Sequence, residues 1–308
     1  MANNVNVKPV ARTAARSRFG SGTNSGANRL NIIFKLLVAI FACIIALYPI
    51  VYVISASFSP TNSITDLVPS NPTLNNYNKL LNDPQYPVLL WMFNSFKVAT
   101  LSTLLTLVLT TLAAYAFSRL RFRGRRQGLL LILLIQLFPN TLAIVSLYLL
   151  LVQIGDLIPW LGLNSHGGLI LVYSGGALGF NTWLMKGFFD TIPKDLDESG
   201  VVDGASPTQI FLQILLPLIR PILAVIAILS FIGVYADFLL AKVLLTTKDN
   251  YTLAVGLNLL LGESGGQRAS NWGIFAAAAL IGALPIVIIF LILQKQLVGG
   301  LTTGAVKG

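Results

Sequence analysis

Long apolar runs alternate along the chain with short polar connections. Uncharged stretches occupy Leu36–Ile54, Val98–Phe117, Gly128–Gly155, Gly167–Met185, Pro221–Ala236 and Ala269–Gln294. About 20 such residues suffice for a helix to cross a bilayer. The fifth run is short, but it extends past Asp237 through Phe238-Leu239-Leu240 to Ala241. The pattern therefore predicts six spans. They read as helices, because backbone in lipid must satisfy its own hydrogen bonds and a barrel strand would alternate polar with apolar residues. Residues 1–30, rich in Asn, Ser, Gly, Ala and Arg and without apolar periodicity, read as a disordered tail. Residues 298–308 read as a second, short tail, leaving 31–297 as an all-α, six-helix membrane domain.

Charge orients those spans. With the N-terminus placed in the cytoplasm, the inside segments hold Lys8, Arg12, Arg16, Arg18, Arg29, Lys35, the five arginines of 119–126, Lys186, Lys194, Arg220, Lys295 and Lys307. The outside segments hold only Lys79, Lys97, Lys242, Lys248 and Arg268. Sixteen basic residues against five is a positive-inside bias that puts both termini in the cytoplasm. Composition agrees: 55% of residues are hydrophobic and 10% charged, where a soluble domain averages about 25% charged. The apolar surplus must face lipid. The net charge of +10 then reads as a topology signal, and the "RLRFRGRR" cluster, a short turn against a span, as no nucleic-acid footprint.

Much chemistry is excluded. The single cysteine, Cys43, sits in an apolar run, and the single histidine, His166, lies in "LNSHGG". Neither a disulfide framework nor a metal site is expected. No G-x-x-x-x-G-K-[ST] loop, H-E-x-x-H or G-x-S-x-G occurs, so ATP is not bound here by a phosphate loop and no hydrolase motif is present. Asp237 is the one acid within a span, which makes it a functional suspect. Its place near the outer end of the fifth span, where the cost of a charge falls away, favours an interfacial reading over a place in a pathway. Pro139 and Pro285 predict kinks, and "YSGGALG" at 173–179 predicts close approach of backbones.

The connection at 190–217 is the polar exception. Pro193 suits a first helical position, and Asp195, Asp197 and Glu198 crowd a first turn, where the helix dipole favours anions. Val201 and Val202 form an apolar patch, and Asp203-Gly204 supplies a stop and a turn. Ser206-Pro207-Thr208-Gln209 is a capping box with Pro at its first position. Ile210, Phe211, Ile214 and Leu215 follow at helical spacing, and Pro217 and Pro221 bracket the return to the membrane. The segment reads as helix, turn, helix, either a well-capped surface linker or a surface made to dock into another protein.

The spacing Glu198-x5-Gly204-x9-Ile214-x-Leu216-Pro217 resembles the "EAA" loop of ABC-importer permease subunits, E-A-A-x3-G-x9-I-x-L-P, with Ser199 and Gly200 in place of the two alanines. "PVLLWMFNSFKVA", "LNSHGG", "YTLAVGLN" and "GLTTGAVKG" are similar to the second permease subunit of maltose/maltodextrin importers, over nearly the whole chain beyond the first thirty residues or so. The resemblance implies a type I ABC-importer permease fold in the bacterial inner membrane. It implies a related second permease, an ATPase homodimer that binds ATP and Mg, and an extracytoplasmic sugar-binding protein as partners. Residues Glu198, Ser199, Gly200, Val201, Val202, Asp203, Gly204 and Ala205 would dock on the ATPase, and Val306, Lys307 and Gly308 would reach toward it. This chain itself would hold no cofactor and catalyse nothing. A secondary transporter or channel is the alternative, but it predicts intramembrane acids or broken helices at matched positions in two halves. An intramembrane enzyme lacks catalytic groups.

Overall fold

The computed structural model describes residues 25–60, 68–69, 71–137, 139–261 and 272–305, with side chains from Asn31 to Gln294 apart from Asn140. Among these residues every regular element is a helix. The chain divides into two compact units, residues 1–50 and 51–308. The described part of the first is residues 25–50 of helix α1 (Ser25–Ser57). The helix thus begins inside the segment that reads as a tail. Its large apolar side chains, Ile32 to Ile50, are exposed.

In the second unit α2 (Asn75–Asn82) leads into the long α3 (Val88–Arg119), followed by α4 (Arg125–Gln136), α5 (Asn140–Leu157) and α6 (His166–Thr191). Short helix α7 (Asp195–Val202) precedes α8 (Pro207–Gln209), a π-helical turn at Ile210–Leu215 and α9 (Leu216–Leu218), which form one continuous stretch. Then come α10 (Arg220–Ala236), α11 (Leu239–Leu244), α12 (Leu253–Leu260) and α13 (Trp272–Ala305). Helix α3 is the centre of the unit, packed along α6 and α10.

By length and composition four helical segments can cross a membrane: 31–57, 88–119, 166–191 and 272–294. Two bent pairs, 125–136 with 141–157 and 207–218 with 220–236, raise the number to six if each pair is one span. The kink expected at Pro139 is a full break between α4 and α5, while the fifth expected run, Pro221–Ala236, is one helix whose expected extension to Ala241 is corrected. In the third, Pro139 lacks the N–H that would continue the ladder, and α5 restarts after it with Pro139 as its N-cap. Just ahead of the fifth, a 72° bend at Ile219 separates it from the stretch 207–218. The fifth run stops earlier than expected, because α10 ends at Ala236 with Asp237 in extended backbone. Pro49 and Pro285, by contrast, lie within helices that continue past them.

Lipid offers no hydrophobic drive for one helix to meet another, so close packing relies on small side chains. Helix α3 supplies them: Ser95, Ala99, Ser102, Thr103, Thr106, Thr110, Ala114 and Ser118 are buried along its length. Some of their hydroxyls fall back on their own helix or reach another element, while those of Ser102 and Thr103 have no partner among the described residues. Thr110 Oγ1 donates to the Thr106 carbonyl at 2.7 Å, and Ser174 of α6 lies 3.4 Å from the Ser102 carbonyl. The glycines of "YSGGALG" do not have the expected role, since a Cβ at Gly175 or Gly176 meets nothing within 4 Å. Only Gly179 is crowded, and by a side chain: its Cβ would stand 2.4 Å from Gln136 Cγ. Gln136 Nε2 donates to the Gly176 carbonyl at 2.7 Å, which ties α4 to α6.

Three of the segments quoted above for their family likeness, those holding Trp91, Asn164 and Tyr251, converge at one end of the unit. Trp91 Nε1 donates to the Lys248 carbonyl (2.8 Å), and Asn94 Nδ2 to the carbonyls of Asp249 and Tyr251 (2.7 and 3.0 Å). Ser95 Oγ accepts from Leu253 N–H (2.7 Å). Asn164, in left-handed backbone at φ 58°, accepts through Oδ1 from Thr246 and Thr247 N–H. His166 Nε2 faces the Asn250 carbonyl at 2.9 Å, so it is the protonated nitrogen there. Trp91 is fully buried and its ring lies on Gly256, where a Cβ would come within 2.0 Å of Cε3. Neither partner can yield, because the indole N–H is already engaged. Gly256→Ala is expected to cost about 3 kcal/mol, the upper part of the overpacking range. The check is thermal unfolding in detergent beside Gly187→Ala, whose Cβ meets nothing within 4 Å.

Candidate functional site

The polar connection after α6 folds as helix, turn, helix. Helix α7 begins at Asp195, two residues after Pro193, so the proline precedes the helix and does not occupy its first position. The N–H groups of Asp197 and Glu198 both donate to the Lys194 carbonyl, at 2.9 and 3.0 Å. Asp195, Asp197 and Glu198 all fall in the first turn, as the dipole favours. The far end is a Schellman cap: Ala205 N–H reaches the Gly200 carbonyl (2.9 Å) and Gly204 N–H the Val201 carbonyl (3.0 Å). Gly204 sits at φ +79°, a backbone region that side chains rarely adopt. The next helix opens with both halves of the capping box, Ser206 N–H to Gln209 Oε1 (2.8 Å) and Gln209 N–H to Ser206 Oγ (3.3 Å). The regular helix expected to follow opens instead into the π turn, which turns Ile210 and Leu215 into the core.

One face of α7 packs and the other is bare. Gly200 is buried against the second helix, where a Cβ would stand 3.0 Å from Ile210 Cγ1 and 3.1 Å from Ile214 Cδ1. Glu198, Ser199, Val201, Val202, Asp203 and Gly204 are exposed, with Val202 at 86% and Val201 at 63%. Beneath them Met185, Phe189, Ile210, Leu215, Ile219 and Ala114 form one buried cluster, and Phe211 packs on Tyr115 of α3 at 4.9 Å between ring centres. An exposed valine pair on a helix that has a core beneath it is a presented surface.

Helix α7 is also fastened to α3. Arg119, 7% exposed at the end of α3, approaches Asp197 Oδ2 through Nε at 2.7 Å and donates through Nη2 to the Ile192 carbonyl at 2.9 Å. Ser118 Oγ donates to Asp190 Oδ1 (2.6 Å), Lys186 pairs with the same carboxylate, and Arg125 Nη2 donates to the Ser118 carbonyl (3.1 Å). The ends of α3 and α6, the start of α4 and helix α7 thus share one polar network.

Residues 106–302 match the family of binding-protein-dependent transport system inner membrane components. The chain belongs to that family. This permease is 45% identical over 274 residues to the maltose/maltodextrin transport system permease protein MalG of Vibrio vulnificus, covering 85% of this chain and 91% of that one. It is 41% identical over 282 residues to the galactooligosaccharides transport system permease protein GanQ of Bacillus subtilis, covering 91% and 96%. Its fold matches a crystal structure of a bacterial ABC transporter involved in the import of the acidic polysaccharide alginate. There the TM-score is 0.72 and identity 25%, over 88% of this chain and 97% of the other. The chain is thus a permease subunit of an ABC sugar importer and a multi-pass inner-membrane component.

Within the permease the expected site residues divide. Glu198, Ser199, Val201, Val202, Asp203 and Gly204 share the exposed side, Ala205 is half-buried, and Gly200 faces inward. Val306, Lys307 and Gly308 lie outside the described residues. Arg119 and Asp197 are not legible as a pair in the sequence, because each has an ordinary reading there, as a topology charge and as a first-turn acid. Among the described residues no group of metal ligands gathers around His166 or elsewhere.

Proposed function

We propose that this permease forms half of the translocation path of an ATP-driven, binding-protein-dependent sugar importer. In that reading it has six spans with both termini in the cytoplasm, and helix α7 takes up the motion of a partner ATPase. The observation that carries it is the division of α7 into a packed face and a bare one. Gly200 and Asp197 hold the helix to the permease, and Glu198, Val201 and Val202 stand free. A surface linker has no use for an 86% exposed valine next to a carboxylate on a rigid helix. A docking helix has, with Glu198 reaching a basic group of the ATPase and the valines entering its cleft. The basic charge bias supports the orientation, since it places the 190–217 loop in the cytoplasm.

The remaining parts follow from family likeness. A second, related permease completes the path, two copies of the ATPase bind ATP and Mg, and a sugar-binding protein delivers the ligand from outside. Maltose or maltodextrin is the favoured cargo. The final residues, Val306 to Gly308, extend toward the ATPase, and the permease itself contributes no catalytic group. Glu198→Lys is the direct test. The variant should insert in the membrane normally and retain less than a tenth of the ATPase on co-purification, as reversal of one member of a docked charge pair costs about 2–5 kcal/mol. Full capture together with normal sugar uptake would falsify the coupling assignment.

A further inference from the structure

A cavity of about 370 Å³ opens between α3, α6 and α10, within the range of about 300–1,000 Å³ usual for small-molecule sites. Its polar groups gather at two ends. At one, Tyr173 Oη donates to Asp237 Oδ1 at 2.7 Å, and the same oxygen accepts from Leu240 N–H (3.1 Å) and Ala241 N–H (3.2 Å). Capping α11 and holding Tyr173 therefore occupy Oδ1, and among the described residues Oδ2 of this cavity-lining carboxylate has no donor. At the other end, among the described residues, the side chain of Asn181 of α6 makes only a long contact, Nδ2 to Ser230 Oγ at 3.4 Å, and its carbonyl oxygen has no donor. Tyr173 and Asn181 are eight residues apart on one helix, about 12 Å along its axis.

The space between the two ends is bare by construction. Gly176 and Gly233 line it, and a Cβ at either meets nothing within 4 Å. Phe180 also lines it, with half its surface exposed. An unpartnered carboxylate oxygen, an amide and a hydroxyl around an aromatic ring match a ligand with many hydroxyls and an apolar C–H face. A single carboxylate is a poor cage for a divalent cation, and it repels an anion.

We propose that this groove is a sugar subsite supplied by this chain, with Asp237 Oδ2 and Asn181 binding hydroxyls at its two ends and Phe180 meeting the face of a pyranose. The subsite rests on the sugar-import reading above and gives Asp237 a role beyond its cap. Two variants test it in the complete importer, reconstituted in vesicles with its binding protein and radiolabelled maltose or maltotriose. Asp237→Asn keeps an acceptor for the cap and for Tyr173 but loses the free carboxylate oxygen. Gly233→Leu puts an apolar side chain into the groove from a position where an added Cβ meets nothing within 4 Å. Asp237→Asn should lower uptake at least tenfold and Gly233→Leu should abolish it, both with ATP hydrolysis still stimulated by sugar-loaded binding protein. Wild-type uptake in both overturns the subsite. So does equal loss of stimulation and uptake in Asp237→Asn, which indicates a structural role only, and so does failure of Gly233→Leu to co-purify with the second permease, which makes the groove a subunit interface. If the unsubstituted importer moves neither sugar, the assigned cargo fails first and the subsite with it.

Discussion

Arg119→Met is expected to detach helix α7 from α3 and to separate ATP hydrolysis from transport. Arg119 is 7% exposed and holds two partners at once, Asp197 Oδ2 at 2.7 Å and the Ile192 carbonyl at 2.9 Å. Removing one member of a buried ion pair costs about 3–5 kcal/mol, because the other charge is left without compensation. The low end, about 3 kcal/mol, applies here, since Asp197 keeps 22% exposure and can recruit water. The cost falls on α7 and the chain between it and α6. Hydrogen exchange at residues 195–202 should rise by about a hundredfold. Sugar uptake should fall while the ATPase still co-purifies, because Glu198, Val201 and Val202 remain on the outer face. The double variant Arg119→Met/Asp197→Leu should recover most of the protection, as replacing both charges by apolar groups is often neutral or stabilising. Unchanged exchange and uptake in Arg119→Met would show that the pair carries neither stability nor coupling.

Val202→Asp should have the second large effect, and on binding alone. Val202 is 86% exposed, so the substitution changes almost nothing within the permease, whose thermal midpoint should stay put. On docking, burial of one valine contributes about 1.5–3 kcal/mol, and a carboxylate in its place adds an unpaired charge to an apolar contact. With tenfold in affinity for every 1.4 kcal/mol, ATPase capture should drop at least tenfold, and further when Val201 is changed as well. Val202→Leu separates the effects of charge and shape, since it keeps the apolar contact and should retain capture. Equal capture by Val202→Asp would mean that the valine face meets something other than the ATPase.

Local features were legible where local chemistry decides them. The capping box at Ser206–Gln209, the turn at Gly204 and the acidic first turn of α7 each depend on a few adjacent residues, and each is present. Gly200 was legible only as a departure from a motif. The structure gives the reason a small residue belongs there: it lies between α7 and Ile210. The size of the break at Pro139 and the 72° bend ahead of α10 were not legible, because hydropathy measures length and not direction. A proline-bearing run that is apolar throughout looks the same whether or not its axis turns. Asp237 was ambiguous for a similar reason. Its cap on α11 is local, but its contact with Tyr173 joins residues 64 apart.

By itself the sequence determined the class of molecule. Its apolar runs require lipid, its basic residues choose an orientation, and its cap and turn residues place a helical hairpin between α6 and α10. Only the tertiary structure decided which side of that hairpin is held and which is offered. It also decided that α3 packs through Ser, Thr and Ala, and that Gly175 and Gly176 of α6 border open space. The physical reason is that hydropathy and capping act within a turn or two of chain. The contacts of Arg119 with Asp197 and of Gly200 with Ile210, and the groove beside Gly176 and Gly233, exist only once α3, α6, α7 and α10 have met.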